Sequence, residues 1–504
     1  HDYIGAIDIN SLYPSAIRAL NMGPETIVGQ LRPIMTDRLI ADRMAQGMSF
    51  TDAWEGLFGS LEYEAMMAGE VGTELTIDWE SDGTSDVCSA ADVWRIIFDS
   101  NRPWTVSANG TIFTYEREAV IPGLLKRWYA ERKEMQAKLK QSTTPEDEEY
   151  WDKRQLVKKI NLNSLYGAIL NPGCRFFDKR IGQSTTLTGR AIAKHMDAYV
   201  NECITGKYDH VGETIIYGDT DSCYFSAWPV VKKEVEEGRM EWSKEIAIQL
   251  YDGIAEQVNL SFPGFMEQAF HCPRDMGSVI KGGREVVASK GLFITKKRYA
   301  VMIIDKEGKR VDVEGKPGKV KAMGLDLKRS DTPKVIQDFL SELLHDVLTG
   351  VERDSVVEKI REFKYAFKDR PGWEKGSPKR VNNLTMYGKK EEREGKTNMP
   401  GHVRAALNWN NLRKMNSDNY SMSIVDGMKT IVCKLKPNAL GWTSIGYPTD
   451  ELHLPQWFKD LPFDDAEMEA TVIDGKVDNL LGVLDWDLAS ASNTDNTFQN
   501  LFDW

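Results

Sequence analysis

Tyr217-Gly-Asp-Thr-Asp-Ser222 lies between two apolar runs, Thr214–Tyr217 and Cys223–Ser226. Short strand-forming runs on either side of a Gly/Asp-rich turn predict a β-hairpin, and this one carries two carboxylates, Asp219 and Asp221. Near the amino terminus, Tyr3–Ile7 reads as a strand ending at Asp8. Ser11–Leu20 follows as a short helix, with Pro14 tolerable only in its first turn. Asp8-Ile-Asn-Ser-Leu-Tyr-Pro-Ser15 therefore delivers a third carboxylate from a strand end just before a helix. Between these segments, Pro122–Lys140 and Trp151–Leu170 read as two antiparallel helices. The linker Gln141–Asp147 places Pro145 and Asp147 at turn positions. On the second helix Lys159, Asn163, Tyr166 and Gly167 fall at i, i+4, i+7 and i+8, on one face.

Composition bounds the function. The 504 residues are 41% hydrophobic and 28% charged, which excludes disordered and collagen-like classes. No apolar run reaches the roughly 18 residues of a membrane span. No basic segment followed by an apolar one opens the chain, so a secretory signal is not expected. Cys88, Cys174, Cys203, Cys223, Cys272 and Cys433 form no C-x-x-C pair, which predicts reduced thiols in a cytosol rather than a zinc site. His1 implies a processed product, a trimmed chain or a fragment. The net charge of −12 argues, taken alone, against a nucleic-acid partner. Sorted by position it reads differently. Residues 1–120 hold 7 basic and 19 acidic side chains, residues 441–504 hold 2 and 13, and the stretch 281–334 holds 15 basic against 7 acidic. A basic interior between acidic ends is compatible with a polyanionic ligand.

The chemistry points the same way. A hard divalent cation takes oxygen ligands, commonly one or two carboxylates completed by substrate phosphates. Two such ions about 3.5–4 Å apart can stabilise the attacking and leaving oxygens of an in-line phosphoryl displacement. Asp8 and Asp221, brought together from separate strands, suit that task, with Asp219 as a nearby acidic partner. A lysine on the facing helix supplies positive charge to the phosphates.

These three segments resemble motifs A, B and C of the family B DNA polymerases: D-x-x-S-L-Y-P-S, K-x-x-x-N-S-x-Y-G and Y-G-D-T-D-S. A lone D-x-D also occurs in nucleotide-sugar transferases, but that reading leaves the other two segments unexplained. Lys296-Lys-Arg-Tyr299 resembles the family's K-K-R-Y segment. Val320–Lys334 is similar to the palm-to-thumb junction of the T-even phage branch, and His402–Ala406 with Asn408-Trp-Asn410 to its thumb. The resemblance runs with gaps from Asp8 to Trp504, thinnest at 30–115 and 340–400.

What it implies is specific. Asp8, Asp219 and Asp221 would be the catalytic carboxylates. Asp8, Asp221 and the Ile9 carbonyl would hold two Mg²⁺ ions. Ser11, Leu12 and Tyr13 would line the nucleotide pocket, with Tyr13 under the deoxyribose where its ring excludes a 2′-hydroxyl. Arg132 and Lys159 would hold the triphosphate, Asn163 would support their helix, and Tyr166 with Gly167 would shape the nascent base pair. Lys296, Lys297, Arg298, Tyr299, Lys321, His402 and Arg404 would contact DNA. One departure stands out: Gln136 replaces a second cation of the fingers, a loss that Lys133 or Lys138 could offset.

The implied fold is α+β and right-handed in layout: an antiparallel-sheet palm, helical-hairpin fingers and a mainly helical thumb. The expected boundaries are palm 1–118 with an insertion at 30–115, fingers 119–171, palm again 172–330 and thumb 331–504. Asp78-Trp79-Glu80 reads as surface charge rather than as an exonuclease motif. The chain is thus expected to copy primer-template DNA with dNTPs in a cytoplasm, without proofreading of its own, beside a separate amino-terminal or exonuclease chain. At the carboxy terminus Phe498, Leu501, Phe502 and Trp504 in the tail 497–504 would dock to a sliding clamp. Two rival readings are a protein-primed polymerase using 30–115 for priming, and a non-catalytic DNA-binding subunit, which the three carboxylates disfavour.

Overall fold

The computed structural model describes residues 3–33, 44–47, 74–97, 99–313, 315–395, 397–484 and 486. They form two compact units, one from residues 1–289 and 304–311, the other from 290–303 and 312–504.

The first unit begins with β1 (Ile4–Ile9) and α1 (Leu12–Ala19). Ile4, Ala6, Ile7 and Ile9 are all buried, so this strand is covered on both faces. β2 (Ile27–Pro33), β3 (Glu74–Trp79), β4 (Ser85–Ser89), α2 (Ala90–Ile97), β5 (Trp104–Val106) and β6 (Thr111–Thr114) come next. Their strands make an antiparallel sheet in the order β4-β3-β2-β6-β5, which accounts for the described part of the 30–115 segment. Glu80, from the D-x-E segment, pairs with Arg180 at 2.7 Å.

α3 (Val120–Lys140) and α4 (Pro145–Ile169) form the expected helical hairpin, tied by an ion pair between Lys158 and Glu131. α4 starts six residues earlier than the sequence reading placed it. Thr144 Oγ1 accepts a hydrogen bond from the Asp147 backbone N–H, Pro145 occupies the first turn, and Glu146, Asp147 and Glu148 face the positive helix end. The residues assigned to a turn are a capped helix start.

α5 (Lys179–Thr205), β7 (Ile215–Asp219), β8 (Ser222–Phe225), α6 (Trp228–Glu236), α7 (Lys244–Phe270), β9 (Gly282–Thr295), β10 (Arg298–Lys306) and β11 (Lys309–Arg310) follow. β9, β1, β8 and β7 lie in that order, all antiparallel. α5 packs on β7 and β8, and α7 on β1, through a core that includes Ile7, Ile192, Met196, Val258 and Phe262. Residues 291–305 are parts of two strands that turn at Lys296-Lys297. Lys297 adopts the left-handed backbone conformation, with φ 63°, that so tight a reversal requires. A second turn, before Lys309, joins β10 to β11.

In the second unit β12 (Lys319–Met323) pairs with β10 in the register Tyr299↔Met323 to Ile303↔Lys319. α8 (Lys334–Thr349) and α9 (Arg353–Lys368) follow. The stretch after Pro371 holds β13 (Ser377–Arg380) and α10 (Leu384–Glu394), before α11 (Gly401–Met415). β14 (Lys429–Lys434) and β15 (Ser444–Pro448) complete an antiparallel sheet β13-β14-β15, and α12 (Gly475–Leu481) follows. Among the described residues of 331–504 helix predominates over strand, with the three-stranded sheet set between the helices. Val381, Leu384, Trp409, Cys433 and Phe458 belong to one buried cluster here.

Among the described residues no helix is long and apolar enough to cross a membrane. The fold is α+β, with every described strand pairing antiparallel.

Candidate active site

β1 carries Asp8 to a position opposite Ser222, the first residue of β8, while the β7–β8 turn presents Asp219, Thr220 and Asp221. A backbone hydrogen bond from the Ile9 N–H to the Asp221 carbonyl, 2.7 Å, fastens strand end to turn. Asp8 and Asp221 therefore share one wall of a cleft of about 440 Å3. Asn10, Ser11, Leu12, Tyr13, Pro14 and Thr220 line that wall too, and Arg132, Lys159 and Asn163 line the cleft from the helical hairpin. Eight of the residues singled out from sequence (Asp8, Ser11, Leu12, Tyr13, Arg132, Lys159, Asn163 and Asp221) thus meet in one place, all within the first unit.

Local structure explains why. Ser11, the residue before α1, has φ 49° and ψ 57°, a left-handed conformation that is rare for a non-glycine residue and recurs at functional sites. This kink turns the chain from strand to helix within two residues, so Asp8 and Tyr13 face the same space. The Tyr13 ring lies 4.9 Å from that of Tyr166, while Gly167 has open space where a side chain would stand. Burial, then the charges of Asp221 and Asp219, raise the Tyr13 hydroxyl above its ordinary value of 10.0.

The carboxylates are unequal. Burial is the largest influence on Asp221 and raises its pKa. The charges of Asp219 and Glu285 push the same way, and Lys159 opposes them. Asp219 accepts hydrogen bonds from the Thr220 backbone N–H at 2.9 Å and its hydroxyl at 3.4 Å, so its carboxylate is engaged by its own turn. Among the described residues no group of three or more His, Cys, Asp or Glu side chains is clustered to hold a metal. Two carboxylates beside backbone carbonyls are the donor set of a hard divalent cation whose shell is completed by substrate phosphates, and this site fits that description.

The cations divide by role. Arg132 donates to Gln155 across the helical hairpin at 3.3 Å, and burial lowers its pKa from the usual 12.5. Lys133 lies over the Tyr129 ring and Lys138 over Trp151, and the cations that line the cleft are Arg132 and Lys159.

Four residues near the carboxylates were not legible from sequence. Glu285 is the extra residue of a β-bulge between β1 and β9, where Ala6 pairs with Val286 but Ile7 with Arg284. Arg284 is buried and binds Asp305 at 2.5 Å and Asp252 at 2.7 Å. Asn259, on α7, donates to the Gly282 carbonyl at 2.6 Å and accepts from its N–H at 2.8 Å, fixing the strand opposite Ile9. Asp197, on α5, underlies the turn. A Cβ on Gly218 would lie 3.2 Å from its Oδ2, Cys223 hydrogen-bonds to it, and its Oδ1 has no hydrogen-bond partner among the described residues. The wide sequence separation of their partners hid all four; a polar residue within an apolar run, as at Asp197 in Met196–Val200, is the one available signal.

Burial pushes the Asp197 carboxyl up to about 7. As pH rises the unfolded chain releases this proton first, so the folded state loses stability between about pH 4 and 7. Asp197→Asn cannot ionise. It is expected to raise stability at pH 8 relative to pH 5, on the order of 1–3 kcal/mol, in urea denaturation at the two pH values. An equal effect at both would refute the assignment.

The remaining predicted residues lie in the second unit or outside the described residues. Tyr299 stacks on Phe293 with ring centroids 5.6 Å apart, and Arg298 donates to the Asn479 carbonyl at 3.2 Å. Lys296 and Lys297 form the tight turn, and Lys321 sits opposite Val301 on β12. Arg404 pairs with Glu391 on α10 and donates to the Thr397 carbonyl at 2.8 Å. His402, nearby, is shifted below 6.5 by burial and then by Lys379. Phe498, Leu501, Phe502 and Trp504 fall outside the described residues.

Comparison with known proteins adds an independent line. Residues 1–254 match the family described as DNA polymerase family B. The chain is 26% identical over 483 residues to the DNA-directed DNA polymerase of Enterobacteria phage T4, covering 89% of this chain and 49% of that protein. It is 28% identical over 465 residues to the corresponding protein of Escherichia phage RB69, covering 89% and 50%. Similarity to the DNA polymerase of Pyrococcus glycovorans, 26% over 242 residues, covers 48% of this chain and 25% of that one. The chain spans about half the length of the two phage relatives.

Proposed function

Because this chain belongs to DNA polymerase family B, we propose that it adds deoxynucleotides to a primer 3′-hydroxyl opposite a template strand, by attack on the α-phosphorus with release of pyrophosphate. The observation that carries this reading is the meeting of Asp8 and Asp221 with Arg132 and Lys159 in one cleft. The first pair would hold two Mg²⁺ ions together with the Ile9 carbonyl. When bound, such ions stabilise charge on the attacking and leaving oxygens. Arg132 and Lys159 bind and orient the triphosphate from the opposite wall, and Gln155 steadies Arg132. Ser11 and Leu12 offer backbone N–H groups at the start of α1, where the helix end favours anions. Tyr13 fills the volume that a ribose 2′-hydroxyl would need. In this phosphoryl transfer the protein's part is positioning and electrostatic stabilisation rather than covalent chemistry.

The rest of the proposal follows the same family pattern. The two units supply palm and fingers in the first, with thumb and the K-K-R-Y, Lys321, His402 and Arg404 DNA contacts in the second.

Primer extension tests the reading. Incorporation should require Mg²⁺, cease on chelation and release one pyrophosphate per nucleotide; a folded protein that extends no primer under these conditions would sink it. Tyr13→Ala should raise ribonucleotide incorporation relative to deoxyribonucleotide, on the order of 10–100-fold. Unchanged sugar selectivity would remove Tyr13 from this role.

A further inference from the structure

α5 runs behind the two aromatic rings of the cleft, and one of its residues has no side chain where the helix meets the Tyr13 ring. A methyl group on Gly189 would stand 2.9 Å from Cε1 and 3.0 Å from Cδ1 of Tyr13, and 3.5 Å from Cδ2 of Leu12. The first of these is closer than carbon atoms pack. Gly189 sits in mid-helix with ordinary helical backbone, where glycine weakens a helix relative to alanine, so no turn demands it there. Three residues earlier on the same face, Thr186 hydrogen-bonds the hydroxyl of Tyr166, the ring on the other side of Tyr13.

The helix cannot yield. Buried Ser184 bonds Ser107 at 2.9 Å and Asn109 at 2.8 Å, and Thr188 Oγ1 accepts from the Ala108 N–H at 3.2 Å. α1, which carries Tyr13, is itself packed between α5 and the helical hairpin, and Ala16, Ile17 and Ala19 are fully buried. A group added at Gly189 would therefore move the Tyr13 ring and little else.

We infer that Gly189 is a positioning residue for nucleotide selection: its missing side chain lets the Tyr13 ring sit back against α5, at the depth that leaves room for a deoxyribose. The sugar-selecting role rests on the reading of Tyr13 given above, whereas the seating of the ring does not. Tyr13 has one neighbour that sets its depth, Gly189, and one that sets its tilt, Tyr166 held by Thr186.

Gly189→Ala should push the ring into the cleft. The KM for dNTPs is expected to rise about tenfold with kcat changed far less, and discrimination against ribonucleotides should not relax. In a Tyr13→Ala background the same substitution meets no ring, so its effect on KM should vanish, and the double variant should melt no lower than Tyr13→Ala alone. If Gly189→Ala fails to fold while the double variant folds, the clash with Tyr13 is again the cause. An unchanged KM in the single variant, a penalty that persists undiminished without Tyr13, or a double variant that does not fold overturns the inference. The melting comparison needs no catalytic activity, so it separates a wrong seat from a wrong function. Unchanged sugar selectivity in Tyr13→Ala alone would refute the gate and leave the seat standing.

Discussion

Asp221→Asn and Asp8→Asn are each expected to slow single-turnover nucleotide incorporation by about 10³-fold or more, equivalent to a barrier increase of about 4 kcal/mol. Asparagine preserves the shape of the side chain and removes its charge, so β1 and the β7–β8 turn keep their pairing. The loss falls on the interaction with cation and phosphate oxygens. Asp221 is the sharper test. Burial, then Asp219 and Glu285, all oppose its ionisation, with Lys159 opposing them. A half-buried carboxyl group beside two others, its charged form favoured only by a backbone hydrogen bond and Lys159, has the surroundings of a working group rather than of a solvated turn. Primer-template affinity, read by fluorescence anisotropy, should stay within about threefold, well under the 1.4 kcal/mol that a tenfold change represents. Wild-type incorporation by either variant would refute the assignment.

Arg284→Ala is expected to destabilise the protein by about 3–5 kcal/mol, because it strips a buried charge of its cation. Arg284 and Asp305 have side chains only 4% and 3% exposed. After the substitution Asp305 would retain the Gly308 N–H, 3.0 Å away, but no guanidinium. Asp252, half exposed, would lose far less. Adding Asp305→Leu to Arg284→Met should recover most of the loss, since a well-packed apolar pair is often as stable as a buried ion pair. Urea midpoints of the three proteins decide it. A loss below about 1 kcal/mol in Arg284→Ala would mean the pair is solvated, against the burial described above.

How much of this was legible beforehand follows from range. Asp8 with Tyr13, Lys159 with Asn163, and Asp219 with Asp221 each lie within a few residues of one another. Local rules for strands, helices and turns therefore place each set, and the cleft brings together all of them but Asp219. α5 escaped notice because its buried stripe passes through Ser184, Thr185 and Thr188, whose hydroxyls bond to each other's surroundings and leave no apolar period to detect. Glu285 was beyond reach for another reason. In an unbroken register it would continue the alternation of β9, and only the bulge beside Ile7 brings its charge to bear on Asp221. The early start of α4 was legible in principle, since Thr144, Pro145 and three acidic residues are a complete start signal. The prolines and aspartates of that stretch were read as turn residues instead.

The hydrogen bond between the Ile9 N–H and the Asp221 carbonyl has a consequence for how the protein acquires its chemistry. It joins residues whose intervening chain includes both hairpin helices and all of α5, and ordering so long a loop must precede any return from the contact. Non-local pairings of this kind slow folding, whereas the α3–α4 hairpin closes over a short connection. Arg132 and Lys159, both on that hairpin, are therefore expected to come together in folding before Asp8 meets Asp221.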